Sequence, residues 1–217
     1  MKLYLYSHCP FCTRVTTYLG LANIDVEKII LLNDDEATPI KMIGKKQVPI
    51  LEVDGKYIPE SLDIINFLNQ KSNFLKKKVE SKIETKAVVK WLEEASPIIS
   101  KLFLPRCIQL GGEEFKTPSA IKYFKDKKEA NFKTTFEKLI AKTPELKAQI
   151  EEMLNDLEPL IHGLPSNKNQ DFTIEDIMLF ASLHMLSTVP FLRWNKKVKD
   201  YMMHISTLSK MPLFPQV

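Results

Sequence analysis

The feature that most limits what this chain can fold into is a change of hydrophobic period near residue 80. Ahead of it, short strand-like runs alternate with helical stretches. Leu3-Tyr4-Leu5-Tyr6 has the length and apolarity of a strand, and residues 15–19 fall in a helix that ends near Gly20. Residues 26–31 alternate and then run apolar, as a strand does. Asn33-Asp34-Asp35 supplies turn and capping residues, and a short helix through Ile40 and Met42 stops at Gly44. Residues 47–53 read as a strand headed by a proline. Asp54-Gly55 is a hairpin turn, and Lys56-Tyr57-Ile58 pairs back. Glu60-Ser61 opens a helix with Ile64, Ile65 and Leu68 on one face, with Ser61 as a preferred N-cap. The order β-α-β-α-β-β-α predicts one compact α/β unit over residues 1–71.

Residues 72–82 read as a polar, lysine-rich linker whose apolar pair is Phe74-Leu75. Within it, Lys76-Lys77-Lys78 reads as a solvated face. Past the linker no strand pattern occurs. Val88, Trp91, Leu92, Ala95, Ile99 and Leu102 fall at helical spacing. So do Leu146, Ile150, Leu154 and Leu157, and later Val198, Tyr201, Met202 and Ile205. Pro97 predicts a kink or an interruption in the first of these helices. Thr173 and Asp176 form a capping box, with Phe172 stapling onto Ile177. Residues 83–217 are therefore expected to form an all-helical domain.

Ser7-His8-Cys9-Pro10-Phe11-Cys12 sits at the first strand-to-helix corner. Two cysteines at this spacing and place are a redox motif. Pro10 suits the first helical turn, where its missing N–H is not needed. Cys9 then lies among free backbone N–H groups at the positive end of the helix dipole, which favours thiolate over thiol. Cys12, one turn further in and less exposed, can attack a mixed disulfide formed on Cys9. Structural zinc shares the spacing but needs four ligands. The remaining cysteine is Cys107, and His8, His162, His184 and His204 form no second ligand pair, so no metal is expected. A structural disulfide here would close a loop too small to restrain the unfolded chain.

Composition narrows the function classes. The chain has 217 residues, 44% hydrophobic and 27% charged, as an ordinary globular protein has. Its net charge of +4 is spread rather than clustered, which argues against nucleic acid as a partner. No apolar run reaches the roughly 18 residues of a membrane span. Met1-Lys2-Leu3 leads into a strand without a signal-peptide pattern, and three cysteines fit a reducing compartment. A cytoplasmic location is expected, and nothing demands a dimer, so a monomer is expected.

Cys9-Pro10-Phe11-Cys12, Val48-Pro49 and Glu60-Ser61 come in an order and spacing that resemble a glutaredoxin. Leu31-Leu32-Asn33-Asp34-Asp35 and Lys46-Gln47-Val48-Pro49-Ile50-Leu51 are similar as well. The Thr173 to Asp176 segment resembles the capping box of transferase-like second domains. The resemblance covers essentially the whole chain. It implies a thioredoxin-like α/β N-terminal domain and an all-α C-terminal domain in a glutathione-transferase-like architecture. It also implies a glutathione-dependent thiol–disulfide oxidoreductase that reduces glutathione mixed disulfides, with protein disulfides as a second substrate class. Cys9 and Cys12 would be the catalytic pair and the redox-active disulfide.

The resemblance further implies that Pro49 is cis and that the Val48 backbone pairs with the cysteinyl part of glutathione like an added strand. Ser61 would meet the γ-glutamyl carboxylate at its helix start, and Glu60 would approach the ammonium end. Glutathione is thus a co-substrate, with no bound cofactor, and glutathionylated or disulfide-bonded proteins are the expected partners. Phe11 stands where many glutaredoxins have tyrosine, and Tyr6 where many have a basic residue. Contact to the glycyl carboxylate then falls to Arg14 or Lys45.

Two other readings use the same residues. A glutathione transferase leaves the activated thiolate on glutathione and has no need of Cys12. A non-catalytic glutathione-binding module keeps Pro49 and Ser61 without needing Cys9. His8 reads as an exposed loop histidine, or alternatively as a tuner of Cys9. Cys107 reads as a small core hydrophobe.

Overall fold

The computed structural model of the chain describes residues 1–76, 80–168 and 170–217. Lys76 is exposed, whereas Lys77 and Lys78 of the expected solvated run lie outside the described residues. The first part contains β1 (Lys2–Leu5), α1 (Pro10–Leu21), β2 (Glu27–Ile30), α2 (Ala37–Ile43), β3 (Ile50–Val53), β4 (Lys56–Pro59) and α3 (Ser61–Ser72). Among the described residues the strands form one sheet in the order β2-β1-β3-β4. β1 runs parallel to β2 and antiparallel to β3, and β3 and β4 form an antiparallel hairpin.

The local sequence explains these elements. Asp54 and Gly55, at φ 50 and φ 75, both adopt the left-handed conformation that a two-residue hairpin turn requires. Gly44 ends α2 at φ 76. Leu3, Ile50 and Leu51 on the two central strands are fully buried. The start of α3 differs from expectation. Glu60 occupies the cap position at φ 69 and ψ 126 without a side-chain capping bond, and buried Ser61 is the first helical residue. The ladder holds Pro59 opposite Ile50, so the change of direction falls on Glu60 rather than Ser61.

The second part is helical: α4 (Thr85–Cys107), α5 (Pro118–Phe132), α6 (Phe136–Ala141), α7 (Thr143–Leu157), α8 (Ile174–Leu186) and α9 (Lys196–Ser209). An isolated antiparallel bridge joins Ile83 to Ile161. The expected interruption at Pro97 does not occur, and α4 is continuous through it. Pro97 lies on the exposed face, where water can satisfy the freed carbonyl. Ala95, Ile99, Leu102 and Phe103 meanwhile stay buried where α4 packs on α7 and α8. The capping box of α8 is present, with Phe172 and Ile177 both buried.

The two parts share a core. α1 packs against α3 on one side and α8 and α9 on the other. Gly20 makes this possible, because a Cβ there would lie 1.8 Å from the Ser209 carbonyl oxygen. Phe74, beyond α3, is buried against Tyr18 and Phe172. No helix of the described residues is long and apolar enough to cross a membrane.

Candidate active site

Cys9 is the N-cap of α1, with extended backbone at φ −82 and ψ 122, and Pro10 follows in the first turn. All three cysteines are free thiols: Cys9 is half-buried, and Cys12 and Cys107 are buried. The neighbouring Cys12 thiol is the main influence that lowers the Cys9 pKa, and the backbone amides of Cys12 and Phe11 add to it against the opposing effect of burial. Cys9 makes no side-chain capping bond of full geometry, so these amides act as aimed dipoles. Burial pushes the Cys12 thiol well up, and the Cys9 sulfur beside it pushes it further. Two adjacent thiols are thus driven apart, one toward thiolate and one toward thiol. Cys107 is also pushed up by burial, as a core residue is.

Cys9 opens into a cleft of about 510 Å³ shared by Pro10, Phe11, Gln47 and Val48. Its opposite wall comes from α5, through Tyr123, Lys127, Lys128 and Asn131. Lys46 bridges the two sides. Its ammonium donates to the Asn33 carbonyl and lies 3.5 Å from the Tyr123 ring centroid. Burial holds the Lys46 pKa down at about 8. Phe11 is exposed at the rim, with the Arg14 guanidinium 4.7 Å from its ring centroid.

The Val48–Pro49 bond is cis. Ile50 pairs with Pro59 across the hairpin, which sets Pro49 and Glu60 side by side at its open end. Lys45 donates to Glu60 at 3.2 Å. Hydrogen bonds from Gln47 and then Lys45 lower the Glu60 pKa. Val48 lines the cleft with Cys9, whereas Pro49, Glu60 and Ser61 are not among the residues that line it.

The structure corrects the reading of His8 as an exposed loop residue. His8 is buried, its ring stacked between Tyr6 and Phe115, and its Nδ1 lies 2.6 Å from the Glu114 Oε1. Burial lowers the His8 pKa, against the pull of the carboxylate. Burial would raise Glu114, but His8 and Ser7 outweigh it and hold the carboxyl at about 2. Neither Glu114 nor the α5 wall emerged from sequence reasoning. The Gly111-Gly112 break before Glu113-Glu114 was the sole local signal, and it does not point to a residue 106 positions away.

Both parts of the chain match known protein families. Residues 3–81 match the family profile described as Glutathione S-transferase, N-terminal domain. Residues 87–217 match the one described as Glutaredoxin 2, C terminal domain. Glutaredoxin 2 of Escherichia coli strain K12 is 40% identical over 202 residues, covering 93% of this chain and 92% of that protein. A crystal structure of glutaredoxin 2 from Salmonella typhimurium in complex with glutathione superposes with a TM-score of 0.88. It is 37% identical and covers 98% of this chain and 95% of that one. A glutathione S-transferase of Ceriporiopsis subvermispora has a TM-score of 0.71 at 14% identity, covers 97% of this chain and 98% of its own, and shares the fold.

Fold and relatives together define a glutaredoxin-class enzyme, a glutathione-dependent oxidoreductase on a glutathione-transferase-like scaffold. More narrowly, the chain belongs to the glutaredoxin 2 family.

Proposed function

We propose that this enzyme reduces glutathione mixed disulfides through Cys9, and protein disulfides when Cys12 resolves the intermediate. The observation that carries this reading is the opposed setting of the two thiols: Cys9 half-exposed at a helix start with a lowered pKa, Cys12 buried with a raised one. In the first step the Cys9 thiolate attacks the glutathione-side sulfur and the client leaves as a thiol. In the second, glutathione attacks the Cys9–glutathione disulfide, releasing glutathione disulfide and the Cys9 thiolate. Lowering a thiol's pKa raises its thiolate fraction but lowers its nucleophilicity, with a Brønsted slope of about 0.4–0.5. The attack step gains little from this, so the helix start serves Cys9 mainly as a leaving group.

Val48 and cis Pro49 are the backbone partners proposed for glutathione, with Glu60 and Ser61 at its γ-glutamyl end. The free N–H groups at the start of α3 suit a carboxylate. Because Glu60 is already engaged by Lys45, its contact with the glutathione ammonium is formed in competition with that pair. The same reading divides the chain into residues 1–71, a link over 72–82, and 83–217. Cytoplasmic work in a reducing compartment accords with three free thiols.

The deciding experiment assays Cys9→Ser and Cys12→Ser on a small glutathione mixed disulfide. Cys9→Ser should lose all activity and Cys12→Ser should keep much of it. Activity retained in Cys9→Ser overturns the assignment, and conjugation of electrophiles by the wild type without disulfide reduction would favour a transferase.

A further inference from the structure

The redox chemistry proposed for Cys9 makes no use of Glu114, yet Glu114 is the most heavily engaged side chain near it. It is fully buried, and a buried carboxylate is costly unless every oxygen finds donors. Among the described residues its donors come from the two residues before Cys9. The Ser7 hydroxyl reaches its two oxygens at 2.8 and 2.9 Å, the His8 amide donates at 3.1 Å, and His8 Nδ1 lies at 2.6 Å. The Glu114 carbonyl in turn accepts from the Asn33 amide at 2.9 Å.

The surroundings are built for this contact. A Cβ on Gly112 would stand 2.7 Å from both the Ser7 hydroxyl and the Glu114 Oε2, so any other residue there would push one of them aside. Phe115, the next residue after Glu114, stacks on the His8 ring. Within the loop, the Cys9 amide donates to the Tyr6 carbonyl at 3.3 Å, which carries the restraint on to Cys9.

We propose that Glu114 is a positioning residue: its carboxylate, delivered by the helical part, clamps the Ser7-His8 backbone and so aims the Cys9 sulfur at the first amides of α1. The proposal rests on the reading of Cys9 as the nucleophile. Dipole stabilisation at a helix start fades within a turn, so a small displacement of the sulfur forfeits it. The titratable groups that face Cys9 are Tyr6, Cys12, Arg14 and, from α5, Lys128. The charge of Glu114 acts on Cys12 instead, where it favours the thiol. Deleting that charge alone therefore leaves the Cys9 thiol unchanged or more acidic, whereas loosening the loop makes it less acidic.

The test is alkylation of Cys9 by iodoacetamide against pH, read by peptide mass mapping on the full chain. Glu114→Ala removes the clamp together with its charge, and Gly112→Ala crowds the clamp while keeping the charge. Both should move the Cys9 alkylation midpoint upward and slow alkylation below it by about threefold, the worth of a helix-end interaction. Circular dichroism and urea denaturation establish that each variant is folded. Should a variant fail to fold, Ser7→Ala, which withdraws one donor, should still show a smaller upward shift. A midpoint that is unchanged or lower in the folded variants overturns the clamp. If Cys9 is not the thiol alkylated first in the wild type, the nucleophile assignment fails instead, and the two failures are told apart.

Discussion

Glu114 and Asp176 are both carboxylates of the helical part, both shut away from solvent, and they titrate in opposite directions. Asp176 accepts from the Thr173 amide at 2.7 Å, from the Thr173 hydroxyl at 2.8 Å and from the Tyr201 hydroxyl. Burial outweighs these neutral donors and raises its pKa. Glu114 has an imidazole against it as well as a hydroxyl and an amide, and is held at about 2. Asp176 therefore ties a helix end to its own part of the molecule, while Glu114 ties the helical part to the loop that carries Cys9. Burial alone does not make a carboxylate functional; the address of its donors does.

The sharpest way to break this contrast is Asp176→Ala. It strands the Thr173 amide and two hydroxyls and should cost about 3 kcal/mol in urea denaturation. The Cys9 alkylation midpoint should stay at the wild-type value. A shifted midpoint would show that the cap of α8 also governs the site, and the two carboxylates would no longer differ in kind.

Acid titration sharpens the comparison further. Glu114 lies below its ordinary value of 4.5, so its stabilisation is complete above that value and is lost as pH falls toward about 2. Asp176 lies above its ordinary value of 3.8, so the folded chain takes up its proton first and its contribution grows more favourable as pH falls toward that value. Urea midpoints measured from about pH 6 to about pH 3 should show two opposite trends. The wild type should lose ground against Glu114→Gln and gain ground against Asp176→Asn. Curves of the same sign would remove the electrostatic half of the contrast.

The smallest expected effect is that of Thr173→Ala. It deletes the hydroxyl that accepts from the Asp176 amide and should cost about 1 kcal/mol, with glutathione-dependent activity unchanged. An activity loss without a stability loss would contradict the purely local role of this cap.

Legibility in the sequence followed the same divide. The Thr173–Asp176 box was readable because its partners are three residues apart, and the Asp54-Gly55 turn because its geometry is set by two residues. The Cys9-Pro10 corner was readable because a proline and a capping thiol announce a helix start. The misreadings concern surroundings. Pro97 was expected to kink or interrupt α4, but the helix is not interrupted there, nor at the buried Pro105, because packing on α7 and α8 holds it together. Ser61 was expected to cap α3, but the β3–β4 ladder moved the turn to Glu60. His8 was read as an exposed loop residue or a tuner of Cys9, and three aromatic rings and Glu114 enclose it, which removes the first reading.

By itself, the amino-acid sequence determined the kind and order of the elements over residues 1–71, the helical character of the rest, and the placing of Cys9 and Cys12 at a helix start. Those depend on periodicity, caps and turns, whose partners lie within a few residues. The tertiary structure alone decided what surrounds the loop that carries Cys9: the α5 wall, the burial of His8, and a carboxylate 106 positions from His8 that holds it. Such contacts draw their strength from the exclusion of water, and water is excluded only once distant segments have packed together.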